Sequence, residues 1–219
     1  MLVALGLACA STRSPGRAAP EYVAVDALAA IDAFIAEHPV DRSDPNWRLR
    51  VPPPPSVAFD RQRQYYWVLH TNAGLIKIRL FTGAAPRHVS STIYLTRLGF
   101  YSDLPFHRII PGFMMQGGDP QGDGRGGPGF RYGGELRNGK SHKGFGIVSM
   151  ANAGPRTDGS QFFILFQAVP KLDGKHAIFG EVVEGGGTVR TIEQYGSKSG
   201  EPKKPVLLRR AEILVDRGD

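Results

Sequence analysis

Arg108 is the residue whose type and setting most directly suggest chemistry. It lies in an otherwise apolar run, FHRII at 106–110, with no acidic partner nearby in sequence. An arginine there is costly to bury unpaired and is tolerated where it faces a groove. Its planar fork of donors stays charged at any working pH, so it can stabilise developing charge without passing on a proton. Other constellations carry less. GELRNGKS at 134–141 fits the phosphate-loop pattern G-x4-G-K-[ST], but no apolar strand precedes it and no helix follows, so nothing would aim N–H groups at a phosphate. Gly122, Gly124 and Gly127 satisfy G-x-G-x-x-G inside a loop and read as a tight turn needing positive φ. The six histidines are not paired at metal-ligand spacing, and no metal or other cofactor is expected. Ser160 sits in DGSQF, not in a nucleophile elbow, and Ser90 and Ser91 fall on a helical pattern.

The elements that must position Arg108 are mostly strands. In LIKIRL at 75–80, Ile76, Ile78 and Leu80 share one side and Lys77 and Arg79 the other, a half-buried strand. Similar runs are predicted at 66–70, 106–110, 113–116, 146–150, 162–166, 177–183 and 207–215. Eight strands favour a closed antiparallel barrel, which has no exposed edges. Helices are predicted at 86–98, with Pro86 in the first turn, and at 188–195; they would plug the barrel's ends. Upstream, DALAAIDAFIAEH at 26–38 places Leu28, Ile31 and Ile35 at helical spacing behind an Asp26 cap, and Pro39 closes it. A stripe that narrow cannot be buried alone, so the helix should dock on the main body. VPPPPS at 51–56 reads as a stiff spacer. The chain thus divides into an N-terminus at 1–19, a helical extension and proline-rich linker at 20–60, and a catalytic body at 61–219.

Lysine and arginine number 27 against 20 acidic residues, a formal charge of +7. The cations are spread along the chain without a dense basic run, so no nucleic-acid partner is expected. A lone cysteine, Cys9, rules out an intrachain disulfide and a cysteine-based metal site. MLVALGLACA is too short to span a bilayer and resembles the end of a bacterial lipoprotein signal in which Cys9 is lipidated. That reading makes the protein extracytoplasmic and membrane-tethered; the alternative is a cytoplasmic protein with a disordered N-terminus.

Three segments taken together exceed what packing requires: FHRIIPGFMMQGGD at 106–119, SMANAGPRTDGSQFFI at 149–164 and LDGKHAIFGEV at 172–182. In these segments the chain resembles the cyclophilin-type peptidyl-prolyl cis-trans isomerases, over roughly residues 66–215 and in the family's order. The resemblance implies an eight-stranded barrel capped by two helices, with a peptide groove on the outside. It also implies an isomerase of X-Pro bonds acting on flexible protein segments during folding; the competing reading is a module that holds prolyl segments without turning them over. By the same resemblance Arg108 is the catalytic donor. Phe113, Met114, Phe163 and Leu172 surround the proline ring, Gln116 bonds the substrate carbonyl, and the Ala151-Asn152-Ala153 backbone pairs with the residue before proline. His176 closes the pocket and Gly124 lines the adjoining loop. Alternation along strands is expected to put Gln161 on the face of Phe163, and Phe106 on the face of Arg108. Lys171 stands where many members have tryptophan, which predicts weak binding of cyclosporin-type peptides. A monomer is expected.

Overall fold

The computed structural model describes residues 26–217, so Cys9 and the lipidation expected of it lie outside the described residues. Nine strands run β1 (Arg63–Thr71), β2 (Gly74–Leu80), β3 (Leu104–Pro105), β4 (Arg108–Ile110), β5 (Met114–Gly117), β6 (Ile147–Met150), β7 (Phe162–Leu165), β8 (Ile178–Glu184) and β9 (Leu207–Arg217). They form one antiparallel sheet in the order β3-β9-β1-β2-β8-β6-β7-β5-β4. Its edge strands, β3 and β4, are separated in sequence only by Phe106 and His107. The sheet therefore curls until its edges meet at one stretch of chain, and a covalent link closes the ring where ladder hydrogen bonds do not. The expected class is present, with two corrections: the strands among the described residues number nine, and the barrel is not closed by pairing.

Phe106 and His107 fall between β3 and β4 and belong to neither. Gly117 on β5 has no side chain, and a Cβ there would lie 3.0 Å from the Phe106 ring. The ring takes that space and turns into the barrel, 1% exposed and edge-on to Phe162 at 5.8 Å. The run predicted over 106–110 is consequently strand only over Arg108–Ile110, and the ninth strand, β3, lies ahead of it at Leu104–Pro105. Inside the barrel Trp67 is fully buried among Tyr101, Phe162 and Phe179, with centroids 4.7–6.3 Å away. Such offset and edge-on aromatic packing adds to simple burial.

Helices α2 (Pro86–Arg97) and α3 (Gly186–Gln194) pack on this core, as the 86–98 and 188–195 patterns predict. The third helix, α1 (Ala27–Glu37), starts where Asp26 accepts the Leu28 N–H at 3.1 Å. Its Ile31 is fully buried, Phe34 meets Tyr94 of α2 edge-on at 5.7 Å, and Asp32 pairs with Arg97. The proline run does not stand off as a spacer. Val51 is 3% exposed within the main core, and its N–H donates to the Pro128 carbonyl at 2.9 Å. Pro53, Pro54 and Pro55 line a small hollow together with Phe130 and Tyr132.

Candidate active-site groove

Strand alternation divides the aromatic side chains between two compartments. On β5 and β7, Met115, Phe162 and Ile164 point into the barrel core. Met114, Phe163 and Leu165 point outward and form a second apolar cluster with Val169, against which Phe113, Ala151 and Leu172 pack. Register then sets a row across the sheet: Arg108 on β4 opposes Gln116 on β5, Gln116 opposes Phe163 on β7, and Phe163 opposes Ser149 on β6. With strands spaced about 4.8 Å, a cation, an amide and an aromatic ring stand side by side within roughly 10 Å.

Arg108 is exposed, and its guanidinium has no partner among the described residues. The other members are held in place. Gln116 donates through Nε2 to Gln161 Oε1 at 2.8 Å, and Gln161 Nε2 donates to the carbonyls of Gly124 at 3.0 Å and Gly126 at 2.9 Å. Gln116 thereby keeps a second N–H and its carbonyl oxygen without a partner among the described residues. Asn152 donates through Nδ2 to Asp158 Oδ1 at 3.0 Å and to the Lys175 carbonyl at 3.1 Å, and its Oδ1 accepts the Gly154 N–H. Its side chain is fully engaged, and its backbone N–H and carbonyl make no hydrogen bond among the described residues.

Two histidines frame Phe163. His176 meets it edge-on at 5.2 Å, with Nδ1 3.0 Å from the Met150 carbonyl. A carbonyl only accepts, so Nδ1 is the donor in this bond. His142 stacks on the ring's other side at 6.2 Å and is wholly buried. Its Nδ1 donates to Asp173 at 2.6 Å and its Nε2 accepts from the Ser149 hydroxyl at 2.8 Å. Burial lowers the His142 pKa despite the Asp173 charge, which keeps the imidazole neutral. Hydrogen bonds from the Ser141 hydroxyl and the His142 backbone hold the Asp173 carboxyl down at about 2. This serine, histidine and aspartate make no hydrolytic triad, because Ser149 is fully buried behind Phe163.

Around these residues lies a groove of about 650 Å³, within the range of small-ligand sites. It brings together Arg108, Phe113, Met114, Gln116, Gly124, Ala151, Asn152, Ala153, Gln161, Phe163, Leu172 and His176. Of the residues singled out from sequence, Phe106 does not belong: it is core, because the Gly117 gap draws it inward while Arg108 stays outside. Sequence reasoning missed Leu49, Arg125, Phe130, Arg131 and Thr157, all of which line the groove. Leu49 comes from the N-terminal extension, held there by the Val51–Pro128 hydrogen bond and by Arg48 donating to the Ser102 carbonyl. The loop bearing Arg125 is organised by buried Asp119, which accepts the N–H groups of Gln121, Asp123 and Gly124 at 2.6–3.1 Å. A Cβ on Gly126 would fall 2.0 Å from that carboxylate. The 134–141 segment forms no phosphate loop: strand β6 follows it, and Ser141 is bound to Asp173.

Residues 66–213 match the model of the cyclophilin-type peptidyl-prolyl cis-trans isomerase family. The chain belongs to that family. A cyclophilin relative from Gibberella zeae, a peptidyl-prolyl cis-trans isomerase-like 1, is 47% identical over 142 residues, 64% of this chain and 86% of its own. A peptidyl-prolyl cis-trans isomerase of Schizosaccharomyces pombe is 43% identical over 150 residues, 67% of this chain and 97% of its own. The match to a peptidyl-prolyl cis-trans isomerase-like 2 of Cryptococcus neoformans, 40% identical over 168 residues and 72% of this chain, spans only 29% of that longer protein. Among solved cyclophilins, one from Cryptosporidium parvum, crystallised in the presence of the dipeptide Ala-Pro, has a TM-score of 0.66 and 35% identity, covering 68% of this chain and 98% of its own. Among the described residues no cluster of three or more histidine, cysteine or acidic side chains is arranged to hold a metal. No described helix is long and apolar enough to cross a membrane.

Proposed function

We propose that this chain accelerates rotation about X-Pro bonds in flexible polypeptide segments, with Arg108 as the catalytic donor. The observation that carries the reading is the row Arg108–Gln116–Phe163: an unpartnered guanidinium beside an apolar notch that the chain's own side chains leave open. Amide resonance gives the C–N bond partial double-bond character and a barrier of about 18–20 kcal/mol. As the bond twists, the proline nitrogen becomes pyramidal and regains a lone pair. A fixed donor at that nitrogen binds the twisted state and not the planar one, which is the condition for catalysis. Removing about 7 kcal/mol from the barrier gives roughly a 10⁵-fold acceleration.

The remaining residues hold the substrate. Phe113, Met114, Phe163 and Leu172 take the ring; the free N–H of Gln116 meets the substrate carbonyl; the unpaired backbone of Asn152 pairs with the residue before proline; and His176 covers the notch. The Ala-Pro used with the Cryptosporidium cyclophilin supports a proline ring as the occupant. No acid or base takes part in the step, because the guanidinium donates without giving up its proton. Exchange of cis and trans signals in a proline tetrapeptide, followed by NMR, tests the reading. Arg108→Ala should lower kcat/KM by about 10²–10³-fold with the fold intact. Full activity in that variant would overturn the mechanism, and binding without exchange in the unaltered protein would make it a holding module.

A further inference from the structure

The charge around the groove is one-sided. Its lining contains three arginines, Arg108, Arg125 and Arg131, and no carboxylate. All three are exposed, and none of their guanidinium groups has an acidic partner among the described residues. On the opposite lip Lys171, also exposed, stands over Phe113 with Nζ 5.9 Å from the ring centroid. Exposed Lys175 adjoins it through its carbonyl bond to Asn152.

The nearby carboxylates keep their charge but bond backbone N–H groups, a serine and buried histidines, and none pairs with a groove arginine. Asp119 is buried under three N–H groups, Asp158 and Glu135 flank His88, and Asp173 holds Ser141 and His142. Asp123 accepts the backbone N–H of Arg125 and not its guanidinium. Elsewhere on the sheet some cations are paired, Lys77 with Glu184 and Arg79 with Glu181. No dense basic run in the sequence produces the patch; loops 119–131 and 170–176 bring it together around one cleft.

We propose that the groove selects X-Pro segments carrying aspartate or glutamate within about three residues of the proline, because Arg125, Arg131 and Lys171 supply unmatched positive charge on both lips. The proposal rests on the isomerase reading and adds a substrate class to it. Three extended residues span roughly 10 Å, enough to reach either lip from the notch. A field of this kind concentrates acidic segments and acts through binding, so it belongs in KM more than in kcat. Salt must weaken it, since the screening length falls from about 10 Å at 0.1 M to about 3 Å at 1 M.

Three peptides test this in the full chain: one X-Pro core preceded by Glu-Glu, by Ala-Ala or by Lys-Lys, with exchange measured at 10 mM and 1 M NaCl. The expected result is a kcat/KM about tenfold higher for the Glu-Glu than for the Lys-Lys peptide at low salt, carried by KM and largely lost at high salt. In an Arg125→Gln/Arg131→Gln double variant that ratio should fall to about threefold or less. Equal rates for all three peptides would overturn the charge proposal while leaving the isomerase reading standing. Absence of turnover of even the Ala-Ala peptide would overturn the isomerase reading itself, and with it the proposal. A Glu-Glu preference undiminished in the double variant would overturn the assignment to these arginines.

Discussion

Asp158 Oδ1 accepts a 3.0 Å hydrogen bond from Asn152 Nδ2 while its other oxygen lies 3.3 Å from Nε2 of buried His88. The segment that offers its backbone to substrate is thereby tied to an ion-pair cluster on the first turn of α2, where His88 also bonds Glu135. Burial disfavours the His88 cation, but the hydrogen bonds and charges of Asp158 and Glu135 outweigh that, so its pKa lies above the ordinary value. For Glu135 burial pushes the carboxyl up, and the hydrogen bonds from His88 and the Arg87 N–H more than reverse it. A raised histidine stabilises fully below its unfolded pKa and stops doing so as pH climbs through the folded one. A lowered carboxyl stabilises above its unfolded pKa and stops as pH drops through the folded one. The cluster therefore contributes fully between about pH 4.3 and 6.5, and progressively less above that. Urea unfolding should show stability falling from pH 6 to pH 9, with a flatter dependence in His88→Gln. An equal difference between the two proteins at both pH values would contradict this.

Gln161 is the brace between Gln116 and the Gly124–Gly126 loop. Gln161→Leu keeps the size but strips two carbonyls of their donor and Gln116 of its acceptor. KM for a proline tetrapeptide should rise about tenfold, a loss of about 1.4 kcal/mol, with a smaller change in kcat. Steady-state kinetics separates the two constants, and a change confined to kcat would count against a bracing role.

The family resemblance puts Lys171 where many members carry tryptophan, so the indole N–H donor is missing there. Weak cyclosporin binding is expected, and Lys171→Trp should lower the Kd at least about tenfold by restoring a donor on a rigid apolar ring. Calorimetric titration of both proteins checks it. Nanomolar binding by the unaltered chain would show that the indole is dispensable.

Ile31 lies on α1, away from the groove, and is fully buried between α1 and the body. Ile31→Ala should cost about 2–4 kcal/mol of stability through lost burial and the cavity left behind. Denaturant titration measures this. The folded variant should keep its kcat/KM, since α1 lines no part of the groove.

The sequence by itself determined the family, through three long motifs, and most of the strands, because period-two alternation is a local property. It also paired Met114 with Phe163 as outward-facing residues, through the family resemblance those motifs carry. Alternation says that two faces exist, but a fragment does not reveal when a neighbouring glycine will pull one residue off its strand. That is why Phe106 was expected beside Arg108 and lies instead in the barrel, where Gly117 leaves room. Only the tertiary structure decided the row from Arg108 to Phe163, since register joins strands distant in sequence. The same holds for Leu49 from the extension, for the Asp158 tie to Asn152, and for the gathering of Arg125, Arg131 and Lys171 around one cleft. Charges scattered along a chain have no shared field until folding brings them within a screening length of each other.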